Sequence, residues 1–349
     1  MIKISPFLAV LFFVTLSVLN IQGQDATFSQ AFASPMTLNP ALTGSFDGRL
    51  RVTSIYHNQW TDQLNDPISS YSASMDMRFP LGRFKSNKQN ALGFGVVAIT
   101  DRTPGINLNS NSLLVGGAFH KSLNLQNTQF LSAGINFGVI QRSMSYQNIF
   151  FSDQFNGLGA YDQQSAEDLP ENNYAIADLS AGIVYQVSNK NNYGLYTGLS
   201  FHHINSPNSS FYRTEEFDNV VIELPTRYAA FIAARIPFGN TVQMLPRMNM
   251  AYQNDRLDGN AGTTFRFMLD KYSGTAIHIG GWVQADEHID NSLEFNYLVG
   301  MLGIEYSNVL MGFSRDFNFN QINTLGKTWE VSVAYLGNYD DELVLCPKF

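Results

Sequence analysis

Cysteine is nearly absent from this sequence, which has Cys346 alone among its 349 residues. A single thiol excludes an intrachain disulfide framework and any metal site built from several cysteines. Charged residues make up only 14% of the chain, below the roughly 25% usual in soluble domains. The net charge of −8 argues against nucleic acid as a partner. After the N-terminal region no long apolar run occurs, so no transmembrane helix is predicted there.

The first residues have the pattern of a secretory signal peptide. Lys3 precedes the apolar stretch FLAVLFFVTLSVLN, and Gly23 is a small residue at the expected cleavage position. The alternative, an N-terminal membrane anchor, is disfavoured because the apolar stretch is shorter than the roughly 20 residues that a spanning helix needs. We therefore predict a signal peptide at residues 1–23 and a mature chain that starts near Gln24. No cysteine lies near Gly23, so a lipid-modified N-terminus is not predicted.

Apolar and polar side chains alternate along most of the remaining chain. The stretch ADLSAGIVYQV, from Ala177 to Val187, has an apolar residue at every second position, which is typical of a strand with one apolar and one polar face. Each such stretch has about ten residues, the length that a tilted strand needs to cross a bilayer. About 14 of them begin near Leu50, Ser69, Ala91, Asn107, Phe130, Ala177, Tyr193, Thr226, Val242, Ala261, Ala276, Asn296, Asn308 and Lys327.

The fold class depends on what the apolar faces contact. In a soluble sandwich the apolar faces of two sheets meet, and the outer faces carry many charges. Here the second faces carry mostly Gly, Ser, Asn and Thr, and aromatic residues cluster near strand ends, as in the interfacial girdles of membrane barrels. A closed barrel also leaves no unpaired strand edge in lipid. We therefore predict an all-β fold, a transmembrane antiparallel β-barrel of about 14 strands in the bacterial outer membrane.

The predicted organisation has three parts after the signal peptide. Residues 24–48 are too rich in proline and turn residues for a spanning strand, so they lie in the periplasm or plug the barrel mouth. The barrel covers residues 49–339, and residues 340–349 form a C-terminal tail. Two long connections, at residues 143–174 and 208–225, carry several acids and are predicted as outer loops able to cap or grip a partner.

No catalytic, cofactor-binding or metal-binding site is predicted. The glycines of GFGVV, Gly93 to Val97, lie within a strand, where glycine relieves crowding or permits curvature, and no helix follows to form a phosphate loop. His202 and His203 are expected on opposite faces of a strand, so they do not share a metal. No nucleophile stands beside an evident base, and the chain is therefore not predicted to be an enzyme.

Several sequence motifs, taken in their order along the chain, resemble those of one protein family. FSQAFASPMTLNPALTGS follows the signal peptide, RVTSIYHNQW opens the first strand, and CPKF ends the chain. Internal stretches such as YGLYTGLSFHHI, LPTRYAAF and MLPRMNMAYQND match in the same order. This set resembles the PorP/SprF family of type IX secretion system outer-membrane proteins of Bacteroidetes. The chain departs from the family pattern at Lys348, where Arg is usual, and around Phe313, Lys327, Thr226 and Ala229, so it resembles a divergent member.

The resemblance implies a non-enzymatic barrel that helps to secrete or surface-anchor a partner. The implied partners are a large secreted adhesin with a C-terminal type IX sorting domain, periplasmic or outer-membrane lipoproteins of the gliding and secretion machinery, and the lipid bilayer. A porin or small-solute channel with the same wall is the alternative. Cys346 is either a small buried residue or a contact for a periplasmic partner. The family motifs place possible partner contacts at Asn39, Pro40, Gly44, Arg51, Gln59, Trp60, Arg227, Tyr228, Cys346, Pro347 and Phe349.

Overall fold

The structure, a computed structural model, is a closed barrel of 14 antiparallel strands. It describes residues 27–81, 89–147, 149–167, 169–189, 191–212, 222–270, 273–287, 293–318 and 327–337. Each strand pairs with its neighbours in the sequence, and the first strand pairs with the last, from Leu50 opposite Gly337 to Asn58 opposite Trp329. The closed ring leaves no unpaired sheet edge, which the hydrocarbon region of a membrane requires.

Every one of the predicted strand stretches is a strand in the structure. The strands are β1 (Leu50–Gln59), β2 (Ile68–Leu81), β3 (Asn90–Thr103), β4 (Leu108–Ser122), β5 (Gln129–Met144), β6 (Asn173–Ser188), β7 (Gly194–His202), β8 (Arg227–Phe238), β9 (Val242–Gln253), β10 (Arg256–Asp270), β11 (Thr275–Glu287), β12 (Leu293–Tyr306), β13 (Val309–Asn318) and β14 (Trp329–Gly337). Short helical turns precede β1, namely η1 (Ala31–Ala33), α1 (Pro35–Leu38) and η2 (Pro40–Leu42), and η3 (Pro104–Ile106) and η4 (Ser152–Gln154) lie in loops.

Several strands are longer than the sequence indicated. β5 and β6 have 16 residues each, against the roughly ten that span a bilayer. They pair with each other from Gln129 opposite Val187 to Ser143 opposite Asn173. Because this pairing is continuous, the β5–β6 hairpin extends beyond the length that a membrane demands.

The alternation in the sequence corresponds to an apolar outer face and a polar inner face. On β5, Ile135 and Phe137 point outward and are each 59% exposed, whereas Ser132 and Asn136 point inward and are buried. β6 follows the same pattern, with Ile183 outward and Ser180 inward. In the described residues no second sheet covers the outer apolar side chains, so a soluble sandwich is excluded and lipid is the matching solvent. Among the same residues, no helix is both long and apolar enough to cross a membrane.

The two ends of the barrel differ in their connections. At one end, the long-loop mouth, residues 145–172 join β5 to β6 and residues 203–226 join β7 to β8. At the other end, the short-turn mouth, the connections at 123–128, 189–193, 239–241 and 307–308 are brief. β1 begins and β14 ends at the short-turn mouth. Tyr174, Leu224 and Phe211 pack together where the second long loop meets the wall.

Candidate functional site

The barrel lumen contains residues 28–48 of the chain, which we call the lumen segment. Most of its residues are buried against inward-facing side chains of the wall. It folds as the helical turns η1, α1 and η2. Two of these turns begin with a proline, Pro35 and Pro40, whose fixed φ suits the first helical position. Because helical turns satisfy part of the backbone locally, the segment needs no strand partner inside the barrel.

Asn39 joins the middle of the lumen segment to the wall. Its Nδ2 donates to the carbonyl oxygens of Ile183 on β6, at 3.3 Å, and of Leu199 on β7, at 2.9 Å. Its Oδ1 accepts the backbone N–H of Ala41 at 2.9 Å and caps η2. Pro40, the next residue, is buried. The fully buried side-chain amide of Asn39 therefore has hydrogen-bond partners at both its nitrogen and its oxygen, and it fixes the lumen segment to β6 and β7.

Gly44 and Arg51 meet at the buried carboxylate of Asp76 on β2. Arg51 Nε donates to Asp76 Oδ1 at 2.9 Å, and Arg51 Nη2 donates to Asp76 Oδ2 at 2.6 Å. The N–H of Gly44 donates to the same Oδ2 at 2.6 Å, and Arg51 also donates to the carbonyl oxygen of Leu42. Arg78 donates to the carbonyl oxygen of Gly44 at 3.0 Å. A bidentate arginine–carboxylate pair has a defined geometry, so the Arg51–Asp76 pair fixes this end of the lumen segment in one position.

Glycines of the wall allow the backbone of the lumen segment to approach. A Cβ on Gly93 of β3 would lie less than 3.0 Å from Thr43, and one on Gly182 of β6 would lie as close to Asn39. Gly44 has a φ of +72°, which favours glycine, and its own Cβ would meet the backbone of Gly93. Gly93 opens the stretch GFGVV, and its role here is the relief of crowding that the sequence indicated.

The other end of the lumen segment is bound by Glu330 on β14. The carboxylate is fully buried and accepts the N–H of Ser29 at 2.5 Å and the N–H of Gln30 at 2.8 Å. His57 Nδ1 lies 3.2 Å from Glu330 Oε1. Ser332 Oγ donates to Gln30 Oε1 at 2.6 Å. Because the bonds to Glu330 come from the backbone N–H groups of Ser29 and Gln30, they fix the path of the chain, and the bond from Ser332 fixes the Gln30 side chain as well.

Asp76, Arg78 and Glu330 were missed as site residues by sequence reasoning. A signal was present, because Asp76 and Arg78 have the same parity as Ser72 and Ser74 on the polar face of β2. A charged residue on that face is unusual in a sequence with so few charges. Glu330 binds residues about 300 positions away, and Asp76 lies opposite Arg51 in the β1–β2 hairpin. The alternation indicated the face of each side chain but not the strand register or the path of the lumen segment, so it could not give these contacts.

The remaining predicted site residues lie apart from the lumen segment's anchors. Gln59 ends β1 at the long-loop mouth, and Trp60 follows it with a φ of 60°. Arg227 begins β8 opposite His202. Tyr228 points outward, is half exposed and contacts Phe201 edge to face. The rest lie outside the described residues: Cys346, Pro347 and Phe349.

The prediction that His202 and His203 face opposite sides is wrong. β7 ends at His202, and His203 has a φ of 56°, so its side chain also turns inward. There His203 Nδ1 lies 2.7 Å from Asp178 Oδ1, whereas His202 Nε2 contacts Ser200 Oγ. Both rings are buried. Across the described parts of the chain, no group of three or more His, Cys, Asp or Glu side chains could hold a metal ion.

Two carboxylates outside the strands help to order the long-loop mouth. The N–H of Ala166 donates to Asp153 at 2.6 Å and, with the hydroxyl of Ser165, holds the pKa of the Asp153 carboxyl below its usual value. Asp62 accepts the N–H of Lys327 at 2.7 Å, and this bond likewise lowers the pKa of Asp62. Both carboxylates are therefore ionised and bound to backbone near neutral pH.

Comparison with known proteins agrees with this architecture. The sequence profile of the family "Type IX secretion system membrane protein PorP/SprF" matches residues 20–335. No curated protein sequence matches the chain at a significant level. The toluene transporter TbuX of Ralstonia pickettii is a structure of similar fold, with 9% identity, a TM-score of 0.50, and 88% of this chain and 94% of that chain covered. A deltaS2 mutant of the TodX monoaromatic hydrocarbon channel has 10% identity, the same TM-score of 0.50 and the same coverage of 88% and 94%.

At such low identity these structures show the fold alone, that of an outer-membrane barrel. The family profile is evidence of relationship as well as of fold, because it matches nearly the whole barrel and the lumen segment. The chain therefore belongs to the PorP/SprF family of type IX secretion system membrane proteins.

Proposed function

We propose that this protein is an outer-membrane component of the type IX secretion system that helps to secrete or surface-anchor a partner protein, by recognition rather than catalysis. The observation that carries the proposal is the lumen segment, which is hydrogen-bonded to the wall at Glu330, Asn39 and Asp76. A lumen filled in this way is poorly suited to the passage of solutes. The two mouths of the barrel are then the surfaces on which a partner protein can be recognised.

The two mouths suggest a direction for the partners. Outer-membrane barrels have short periplasmic turns and longer extracellular loops, so the long-loop mouth faces outward in this proposal. An exported adhesin-like protein with a type IX sorting domain would be held there. Lipoproteins of the gliding and secretion machinery would meet the short-turn mouth in the periplasm, and Cys346 would be a contact for such a partner. A signal peptide at residues 1–23 would direct the chain to export.

The loop between β5 and β6 has the properties of a contact surface. Asn156 Oδ1 accepts the N–H groups of Leu158 and Ala160, and its Nδ2 donates to Asp162. These bonds hold Leu158 at a loop tip where it is 93% exposed. Phe155 and Tyr161 contact each other at the base of the tip, with their rings tilted by 51°. A rigid apolar tip loses little entropy on binding, which favours it as an anchor for a partner.

We expect the substitution Leu158→Asp to reduce the amount of exported partner held at the cell surface several-fold, because it places a charge where an apolar contact would form. The matched control is Leu125→Asp, since Leu125 is also exposed, at 58%, but lies in a turn of the short-turn mouth. Surface labelling of intact cells measures the partner, and heat-modifiable gel migration shows that each barrel is folded. Equal surface labelling in both variants and the native strain would contradict the proposal.

A small-solute channel is the second candidate. Cavities of about 100 Å³ and about 50 Å³ flank the lumen segment on the side of β8 to β14. The two structures of similar fold are a toluene transporter and a hydrocarbon channel. Those activities belong to those proteins, and they suggest the channel only as a candidate for this chain. Planar-bilayer recordings separate the candidates, because large stable currents from the unmodified protein favour a channel and silence favours an anchor.

A further inference from the structure

The cavity of about 100 Å³ beside the lumen segment has a composition that suits a ligand, and we call it the side cavity. Strands β9 to β14 and β1 form its wall, and Phe32, Pro35 and Phe46 of the lumen segment line its other side. An apolar cavity of roughly 150 Å³ is known to take up one benzene molecule. A space of this order therefore has room for one small organic ligand.

Arg247 on β9 brings a positive charge into the side cavity. Its side chain is partly exposed there, and its guanidinium lies 4.8 Å from the centroid of the Phe32 ring. The ring attracts the charge but offers no oxygen acceptor to the N–H groups. Arg247 forms no ion pair or hydrogen bond with the described residues. Because a charge held away from bulk water is normally paired, Arg247 is suited to an anionic group of a ligand.

Asn260 on β10 is the polar neighbour of Arg247 in the sheet. Arg247 lies opposite Gly262, and Asn260 is two residues before Gly262 on the same inward face. Diagonal neighbours of this kind have Cα atoms about 7–8 Å apart, which long side chains can bridge. The Asn260 side chain also lines the side cavity, is partly exposed and forms no hydrogen bond with the described residues. One carboxylate can therefore accept hydrogen bonds from both side chains.

The rest of the side cavity is mostly apolar. Arg247, Gly262 and Trp282 lie in one register row, and Gly262 itself lines the cavity because it carries no side chain. Leu245, two residues before Arg247 on the same face of β9, borders this space. The cavity continues to Leu336, near the end of β14 at the short-turn mouth. Such a lining suits a short aliphatic chain that is attached to the anionic group.

We propose that the side cavity binds a short organic carboxylate, with the carboxylate between Arg247 and Asn260 and the aliphatic chain over Gly262, between Leu245 and Trp282. Both polar side chains donate hydrogen bonds to the carboxylate oxygens, and the bond from arginine is charge-assisted and hence the stronger one. A longer chain buries more apolar surface until the cavity is full. This inference goes beyond the proposed function, and it does not require that solutes pass through the barrel.

Calorimetric titration of the full-length protein in detergent tests the proposal with four probes: acetate, butyrate, hexanoate and hexanamide. Along the carboxylate series we expect each added methylene group to tighten binding about two- to fourfold, as buried apolar surface grows. Hexanamide should bind at least about tenfold more weakly than hexanoate, because it lacks the charge that pairs with Arg247. Titration of protein-free detergent micelles gives the background. Equal binding of hexanoate and hexanamide, or of hexanoate and acetate, would overturn the proposal.

Variants assign the binding to the side cavity. Arg247→Met keeps an aliphatic chain but loses the charge, so it should weaken hexanoate binding about tenfold, whereas Arg247→Lys should retain part of it and Asn260→Ala should weaken it less. The matched control is Arg256→Met, because Arg256 is exposed where β10 begins at the long-loop mouth. Heat-modifiable gel migration shows that each barrel is folded. Equal binding by Arg247→Met and Arg256→Met, or no binding of hexanoate to the native protein, would overturn the proposal and leave water as the occupant.

Discussion

Asp76 concentrates the attachment of the lumen segment in one side chain. It accepts two hydrogen bonds from Arg51 and one from Gly44, and all of these groups are buried. Removing one partner of a buried pair leaves the other charge uncompensated, which costs about 3–5 kcal/mol. The arrangement therefore makes both stability and the position of the segment depend on a single carboxylate.

We expect Asp76→Asn to lower the free energy of unfolding in lipid vesicles by about 3 kcal/mol, because the Arg51 guanidinium stays buried without its counter-charge. Urea titration measures this loss. Asp66→Asn is the matched control, since Asp66 is exposed in the loop between β1 and β2 and the substitution removes the same charge. Equal urea midpoints of unfolding for the two variants would show that Asp76 does not hold the lumen segment in place.

Single residues were only partly predictable from the sequence. Asn39, Gly44 and Arg51 were found because they belong to motifs that resemble the family's, and the structure places all three at the lumen segment's attachments. Glu330 was not found, because its partner Gln30 lies 300 residues away and no local pattern links them. Tyr228 was grouped with these residues by its motif, yet it points outward from the wall.

At the scale of elements, the strands were predictable because alternation is a local property. Each of the 14 strands was found where a two-residue period placed it. The turns η1, α1 and η2 were not, since a segment of so few residues shows no helical period and takes its shape from the wall around it. Strand lengths were underestimated at the β5–β6 hairpin, where pairing continues after the apolar alternation ends.

The loop between β5 and β6 is expected to lose order as the pH falls. The pKa of Asp153 is lowered in the folded loop, chiefly by the N–H of Ala166, so its contribution is present above the usual carboxyl pKa and is lost as the pH drops through the lowered value. Asp153→Asn should therefore raise hydrogen exchange at Ala166 relative to the native protein at pH 7, and the difference should be smaller at a pH below the usual carboxyl pKa.

Hydrogen exchange with mass spectrometry measures both states, and each comparison is made at one pH so that the intrinsic exchange rate cancels. Glu167→Gln is the control, because the Glu167 side chain is exposed and accepts no hydrogen bond from the loop residues that the structure describes. A difference that stays constant between the two pH values would show that the Asp153 carboxylate does not order the loop.

At the scale of the whole molecule, the wall and its contents are one packed unit. The inner face is polar, yet it is filled by the chain's own residues rather than by solvent alone. This packing requires glycine at several wall positions, because the lumen segment occupies the space that larger side chains would fill there. We therefore expect a substitution at one of these glycines to displace the lumen segment and so to change the permeability of the barrel.

We expect the native protein to be silent in a planar bilayer and Gly93→Val to produce measurable currents, because the added side chain displaces the backbone at Thr43 and loosens the lumen segment. Gly105→Val is the control, since no atom lies within 4 Å of a Cβ at Gly105, in the turn between β3 and β4. Single-channel recording gives the result. Large currents from the native protein would favour the small-solute channel instead.

The bond from Glu330 to Ser29 and Gln30 has a consequence for biogenesis. β14 is the final strand in chain order, and it carries the acceptor for the N–H groups at the very start of the described chain. A polypeptide truncated before β14 would lack both the closing strand and that acceptor, so its N-terminal region would stay accessible to periplasmic proteases. The N-terminal part of the lumen segment can therefore reach its bonded position only after the last of the described strands has been synthesised.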